Sequence, residues 1–456
     1  MSSTAAEHHD HPAARAPRRL YRTVWRWHFY AGLLCLPFVL WLAATGSIYL
    51  FKPQIEAWID REHDHLRFDA PLASPSAQVQ AALAVVPGAT FSAYELPATP
   101  HSAARVLVRS GSDTIRVYVD PQRLTVRKTV AEDDRLMTVI SKLHGQLLIG
   151  DIGSYLVELA ASWAIVMIIT GLYLWWPREA SGIRGVLLPR FDRRGRPLWK
   201  DLHAVIGFWV SAFALFLLIS GLPWTQFWGS SLKAVRQYAS ATEVRQDWST
   251  GAAKTPAADE HAGHAGHGVA AAASDALDGD ALNRAVATVA PLALPPPVLV
   301  APPSRKTPQW TAKSDTQNRP KRVNLTLDGA TGAVLKREDF RDRKLLDRII
   351  GTGVAAHEGQ LFGWVNQALG AFTALSLIGL TLSGLVMWLK RRPAAVLGAP
   401  LALPETRVPR PMIGLAVVLG VLLPMFGLSL IAVLVIERAL LRRIAPARSF
   451  LGLAPA

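Results

Sequence analysis

Four histidines stand at matched places along apolar stretches of the chain. His28 and His203 each open such a stretch, and His144 and His357 each lie just before one. His28 is followed by Gly32 and Gly46 at offsets of 4 and 18, and His203 by Gly207 and Gly221 at the same offsets. His144, within HGQLLIG, precedes Gly150, Gly171 and Trp175 by 6, 27 and 31 residues. His357, within HEGQLFG, precedes Gly363, Gly384 and Trp388 by the same intervals. Gapless agreement of this length marks an internal duplication. Two imidazoles facing one another are what a six-coordinate haem iron takes as axial ligands. The chemistry these residues suggest is therefore metal ligation by pairs, one member from each half.

The elements that would carry them are membrane helices. Half of the 456 residues are hydrophobic, and they gather into five runs, 28–51, 153–176, 203–224, 364–389 and 411–437. Each has the ~20 residues that a helix needs to cross hydrocarbon. The net charge of +15 is not a nucleic-acid footprint, because the cations cluster beside the runs. Arg15, Arg18, Arg19, Arg22 and Arg26 fill segment 1–27. Arg178, Arg184, Arg190, Arg193, Arg194, Arg196 and Lys200 fill loop 177–202, and Lys390, Arg391 and Arg392 open loop 390–410. Short basic segments beside spans mark the cytoplasmic side, so the N-terminus is expected there. The tail 438–456, with Arg438, Arg442, Arg443 and Arg448, conflicts with that rule if the fifth run crosses outward. Pro424 and Gly427 offer a place for that run to bend. Cys35 is the only cysteine, which excludes a disulfide framework or a thiolate site.

Topology then sorts the histidines by depth. His28 and His203 fall at the cytoplasmic face, His144 and His357 at the outer face, so the expectation is two bis-histidine haem b groups, one near each face. Gly32 and Gly207, one turn beyond their histidines, would leave room for a macrocycle. Gly46 and Gly221, ~5 turns on at 3.6 residues per turn, would return to that face beside the second haem. Gly150, Gly153 and Gly363 are expected to interrupt the helix after the histidine. The sequence leaves the phase of Gly171 and Gly384 open. Trp25, Trp27, Trp175, Trp176, Trp199 and Trp388 read as an interfacial belt. The two long polar regions, 52–152 and 225–363, are each expected to fold as one helix on a small antiparallel sheet. The first would use SAQVQAALAVVP, TFSAYEL, ARVLVRS, DTIRVYVD and LTVRKTV; the second, ALNRAVATVAP and a hairpin turning at Asp328–Gly332. An Ala/Gly/His stretch, 249–281, reads as a disordered insert. Its His261, His264 and His267, with His8, His9 and His11, form a possible loose metal tract.

Taken together, the WxHxxxG openings, HGQLLIG, HEGQLFG, and TGLYLWWPR against SGLVMWLKRR resemble the PepSY-associated transmembrane family of bacterial iron-uptake proteins. The resemblance extends to ferrioxamine-type ferrisiderophore reductases and covers about residues 20–392. It implies an α-helical integral membrane protein with a four-helix haem-binding core from two duplicated halves. A fifth helix and two periplasmic α+β PepSY-like domains complete the plan. The family's haem ligands carry over onto His28, His144, His203 and His357. Leu124 stands where a turn glycine is usual, whereas LDGATGAVL keeps Gly332. The expected function is electron transfer from a cytoplasmic flavoprotein or the quinol pool to a periplasmic ferric siderophore or other iron chelate, a reductase-type oxidoreductase. Partners are then membrane lipid, donor and chelate, with no nucleic acid. The alternative is a PepSY peptide-binding or protease-regulating membrane anchor without redox activity.

Overall fold

The computed structural model describes residues 12–177, 182–238, 277–304, 307–400 and 408–453. The helices of the first half are α1 (Pro12–Leu50), α2 (Lys52–Asp60), α3 (Pro75–Ala84), α4 (Leu136–Gln146) and α5 (Gly150–Trp175). Those of the second are α6 (Arg196–Gly221), α7 (Gln226–Tyr238), α8 (Gly279–Val289), α9 (Leu345–His357) and α10 (Trp364–Arg391). Three more follow: α11 (Arg410–Leu422), α12 (Pro424–Ile436) and α13 (Ala445–Leu451). Five stretches among the described residues are long and apolar enough to cross a membrane: Arg19–Leu50, Gly150–Trp175, Arg196–Trp224, Trp364–Arg391 and Pro424–Leu441. Helices α1 and α6 overrun the expected runs toward their basic ends, so His28 and His203 lie within helices rather than at their starts.

The chain divides into two units. The first comprises Met1–Gly46, Asp151–Glu243 and Phe372–Ala456. Glu158, within α5, is a structural cap. The carboxylate accepts from the backbone N–H of Phe227 (2.9 Å) and Trp228 (3.1 Å), and Ser154 Oγ accepts from Gln226 N. These are donors of the first turn of α7 that have no partner inside their own helix.

The fifth run departs from expectation. It is not one span over 411–437 but a helical hairpin of α11 and α12, broken at Leu423 (φ −125°, ψ 79°). Pro424 cannot donate its nitrogen and starts a new helix instead. A Cβ on Gly427 would lie 2.7 Å from the Gly420 carbonyl oxygen, so glycine at 427 is what lets the arms close. Leu423 and Phe426 at the tip are buried with Ile165 and Leu222, and Trp228 Nε1 donates to the Leu422 carbonyl. The tail then comes back to the basic end of α1. Leu397 N donates to Phe450 O, Arg26 Nη1 donates to Pro400 O (2.6 Å) and Gly452 O (2.8 Å), and Tyr30 OH donates to Leu451 O. The basic tail thus joins the other basic segments, which removes the charge conflict of a single crossing.

The second unit comprises Ser47–Gly150 and Val244–Ala371. Here too the expectation is corrected: the two polar regions do not build separate sheets. They share one antiparallel eight-stranded sheet, of order β4-β3-β2-β1-β5-β6-β7-β8. The strands are β1 (Thr90–Glu95), β2 (Ala104–Ser110), β3 (Asp113–Val119), β4 (Val126–Ala131), β5 (Val298–Ala301), β6 (Trp310–Ser314), β7 (Val323–Leu327) and β8 (Val334–Asp339). The halves meet where Tyr94 pairs with Val300 and Glu95 with Leu299. A three- or four-stranded sheet would leave an unpaired edge at β1 and another at β5, and joining them removes both. Helices α3 and α8 cover one face and are tied by Ser76 N to Asn283 Oδ1 (3.0 Å) and Asn283 Nδ2 to Ser76 Oγ (2.9 Å). Val79, Ala82, Leu282, Ala285 and Val289 bury against Val106, Val108, Val117, Val300, Leu325 and Leu327. Helix α8 begins at Gly279, so the last positions of the expected insert 249–281 are helical. The His-rich residues His261, His264 and His267, with His8, His9 and His11, lie outside the described residues.

Candidate functional site: two histidine pairs

The four histidines come together as two pairs, and each pair lies within one unit. In the first unit the His28 and His203 ring centroids are 6.4 Å apart, with planes at 83°. In the second unit His144 and His357 stand 6.5 Å apart at 80°. Two imidazoles bound by nitrogen on opposite sides of one metal ion, at ~2 Å each, place their centroids roughly 6 Å apart. Both pairs have that separation. Among the described residues no three His, Cys, Asp or Glu side chains gather as a metal site.

In the first pair, hydrogen bonds decide which nitrogen is free. His203 Nδ1 lies 3.0 Å from the Leu380 carbonyl and 3.1 Å from Ser383 Oγ, and that hydroxyl donates to Leu380 O. A carbonyl only accepts, so Nδ1 carries the proton and Nε2 keeps its lone pair. His28 Nδ1 lies 3.0 Å from Thr170 Oγ1, whose hydroxyl is engaged with the Val166 and Met167 carbonyls. The same tautomer follows. This outer hydrogen bond is the usual way a protein fixes the rotation of a metal-binding imidazole.

Gly171 and Gly384 now acquire a role. A Cβ on Gly171 would come within 3.1 Å of His28 Cε1, and one on Gly384 within 3.3 Å of His203 Cε1. Each histidine of the first pair rests its ring on a glycine of the neighbouring helix. Gly32 and Gly207 do something else: their missing side chains face Met167 Sδ (3.8 Å) and Leu380 Cδ1 (3.4 Å). What the structure shows there is close helix packing by small residues, not an open face for a ring. Gly46 is half-buried in α1, and Gly221, also half-buried, is the last residue of α6.

The second pair is mounted on short helices that hang from the sheet. His144 is near the C-terminus of α4, and His357 ends α9. After His144 the chain turns through Leu147, Leu148 and Gly150, all at positive φ, before α5. After His357 it turns at Gly359 and Gly363 before α10. Gly150 (φ 63°) and Gly363 (φ 62°) are therefore the breaks that the spacing predicts, whereas Gly153 lies inside α5. Beyond His357, Gln367 Nε2 and Gln360 Nε2 donate to Leu50 O, at 2.9 and 3.2 Å. A Cβ on Gly370 would be 2.9 Å from Leu50 Cδ2.

An ionic network fixes α4. Its N-cap residue, Arg135, pairs with Glu56 of α2 (2.9 Å) and with Glu132 (3.3 Å). Glu132 also binds buried Arg116, which binds Glu95. Beside them Arg105 reaches Asp64 (2.8 Å) and Asp60 (3.5 Å), and Tyr118 OH donates to Asp60 (2.8 Å). Burial alone would raise the Glu132 carboxyl, but Arg116 and Arg135 overcome it and hold the group below its ordinary range. Asp60 is likewise pushed up by burial yet held down by the Tyr118 hydrogen bond and by Arg105, Lys128 and Arg135. Burial and then the carboxylate at Asp60 are among the causes that lift the Tyr118 phenol to about 12.

Sequence reasoning missed Thr170 and Ser383. The signal was there, because a hydroxyl residue precedes the glycine in both TGLYLWW and SGLVMWL. It also took Trp175 and Trp388 as belt residues only. Each donates its indole N–H to the loop after its own helix, Trp175 to Val186 O (2.9 Å) and Trp388 to Leu397 O (2.8 Å).

Compared with known protein families, residues 25–391 match the PepSY-associated TM region. No curated protein matches the chain.

Proposed function

The chain belongs to the PepSY-associated TM region family, and from that premise we propose that it is an inner-membrane di-haem b electron-transfer protein. Its task is to carry electrons from the cytoplasmic side, from a flavoprotein or the quinol pool, to a ferric siderophore in the periplasm. The observation that carries the reading is the matched separation of the two histidine pairs, 6.4 and 6.5 Å. A bis-histidine haem, when bound, supplies a reversible one-electron couple at each pair.

The chain's own residues set the conditions for that chemistry. Leu380 O, Ser383 and Thr170 hold the Nδ1 proton, which leaves Nε2 of His203 and His28 as ligand atoms. Gly171 and Gly384 fix how closely those rings approach the helices behind them. Arg135 and Glu132 anchor α4 and with it His144. The clustering of cations beside the spans supports an N-terminus in the cytoplasm and the sheet in the periplasm.

Overall, one electron converts one chelated Fe(III) to Fe(II). With a quinol as donor, each quinol reduces two chelates, leaves as quinone and releases two protons. Fe(II), less charged and softer, is held less firmly by hard oxygen ligands, so reduction frees the iron. No general acid or covalent nucleophile is needed.

The test is a reduced-minus-oxidised absorption spectrum of the detergent-purified protein, with a haem-to-protein ratio. Low-spin b-type bands at about two haems per chain are expected. A colourless protein, expressed with ample haem, overturns the reading.

A further inference from the structure

The sheet's two outer hairpins have one backbone plan but carry different charges at matched positions. Ile115 pairs with Ala131, Val117 with Thr129 and Val119 with Val126. In the second hairpin Val323 pairs with Asp339, Leu325 with Arg337 and Leu327 with Val334. The irregularity falls at Tyr118/Val119 in one and at Thr326/Leu327 in the other. Residues can therefore be equated one for one.

A shallow, open cavity of about 310 Å³ lies against the second hairpin. Its charged lining is Lys321, Arg322, Arg337 and Arg341, with the single carboxylate of Asp339. The same five positions in the first hairpin are Asp113, Thr114, Thr129, Asp133 and Ala131. Four cations and one acid have replaced two acids and no cation. The carboxylates nearby do not cancel the excess. Asp339 is shared between Arg337 (3.0 Å) and Arg341 (3.8 Å), Arg341 also reaches Asp342 (3.9 Å), and buried Arg322 pairs with Asp315 (3.1 Å). Lys321 is exposed. Buried Arg322 spends its guanidinium on the Thr316 carbonyl (2.8 Å) and on Asp315, so the exposed cations Lys321, Arg337 and Arg341 are the ones that face solvent here.

The cavity wall is built on the helix that carries His357. The ring of Phe340, which lines the cavity, lies so close to Gly351 of α9 that a Cβ there would be 2.7 Å from it. Arg319, the residue before the lining begins, pairs with Glu358 (3.8 Å), the residue after His357.

We propose that this cavity docks the substrate chelate, and that the chelate is an anion: ferric iron held by carboxylate or catecholate oxygens with net negative charge. The inference rests on the reductase reading above and adds the substrate class to it. Guanidinium groups suit such a ligand because their forked N–H donors match paired anionic oxygens.

The probe is radiolabelled ferric citrate, with a cationic ferric trihydroxamate as its counterpart. Equilibrium dialysis would use the full chain in nanodiscs of neutral lipid, without reductant. Citrate is expected to bind and to weaken with salt, and the cationic complex to bind at least tenfold more weakly. Arg337→Gln with Arg341→Gln, both exposed, should raise the citrate Kd by about tenfold or more while the melting temperature and haem spectrum stay unchanged. Equal affinity in that variant, or equal binding of the cationic complex, overturns the docking site. So does loss of citrate binding when phosphatidylglycerol is added to the discs, which would make lipid headgroups the occupant. These outcomes concern the cavity alone if the two-haem spectrum is intact, whereas a colourless protein sinks the reductase reading instead.

Discussion

The two halves of the duplication agree closely at the first histidine pair and diverge at the sheet. His28 has Thr170 at 3.0 Å and Gly171 behind its ring; His203 has Ser383 at 3.1 Å and Gly384 behind its ring. Only tenths of an ångström separate the two arrangements. In the outer hairpins the backbone register is equally well kept, yet Glu132, locked to Arg116 and Arg135, has become Phe340, packed on Gly351. On the proposed haem reading, two ligands of one iron would have to approach it alike, which would keep the symmetry where both halves meet the same object. Where each half faces different surroundings, only the backbone plan survives.

The largest test of this symmetry is removal of the histidines. His28→Ala and His203→Ala should each lower the haem-to-protein ratio from about two to about one, measured as the pyridine haemochrome. His144→Ala and His357→Ala should remove the other haem, and His203→Ala with His357→Ala should leave a colourless chain. A ratio that responds to only one half would break the comparison at its strongest point.

Next in size is the ionic network, whose Arg116 and Glu132 are replaced by Asn324 and Phe340 at the equivalent positions of the second hairpin. Glu132→Gln deprives buried Arg116 of one of its two carboxylates, and breaking a buried pair costs about 3–5 kcal/mol. The second unit should unfold at lower denaturant, with the spectrum of the His144/His357 site lost before that of His28/His203. Phe340→Leu at the equivalent position should cost only about 1–2 kcal/mol.

The same carboxylates give a pH dependence. Glu132 and Asp60 titrate below their ordinary values in the folded protein. Their contribution is therefore complete above the unfolded values of about 4 and is lost as pH falls through the depressed folded values. Melting temperature should drop on acidification below about pH 4, and Glu132→Gln should flatten that slope. A Glu132→Gln chain with an unchanged slope would show that the network does not titrate as argued.

Smaller again are the hydroxyls. Thr170→Val and Ser383→Ala should each weaken haem retention about tenfold, read by transfer to apomyoglobin. The effects should match, because the Leu380 carbonyl remains beside His203 and the Met167 carbonyl beside His28 to hold each tautomer. A large loss in one variant alone would mean that the two histidines are held differently.

Much of this was legible in the residues. The duplication, four long spans, the histidine pairing and six of the eight strands follow from spacing and periodicity, whereas β5 and β6 were not read. Two features did not. Joining β1 to β5 depends on edge strands finding each other across more than 200 residues, and no local pattern encodes that. The α11–α12 hairpin was half visible: Pro424 and Gly427 announced a bend, but its sharpness depends on Gly420 lying against Gly427. The support of His28 and His203 by Thr170 and Ser383 was hidden because it joins different helices. The phase of a glycine can be read along its own helix but not against its neighbour.

The smallest test returns to the hairpin turns. Leu124 stands at φ 56° and donates its N–H to Asp120 O (2.9 Å). Gly332 stands at φ 75° and donates to Asp328 O (2.7 Å). The turn demands the left-handed region at this position in both halves, and a side chain there costs about 1–2 kcal/mol. Glycine gives some of that back through greater freedom in the unfolded chain, about 0.4–1 kcal/mol. Leu124→Gly should therefore stabilise the second unit by roughly 0.5–1 kcal/mol, seen as a higher denaturant midpoint at unchanged slope. The reverse change, Gly332→Ala, should cost more than Leu124 now does, because its Cβ would press on Arg284 Cβ at 3.1 Å and Arg284 O at 3.2 Å. If Leu124→Gly destabilised instead, the leucine would be contributing packing that outweighs its strain, and the two turns would not be equivalent.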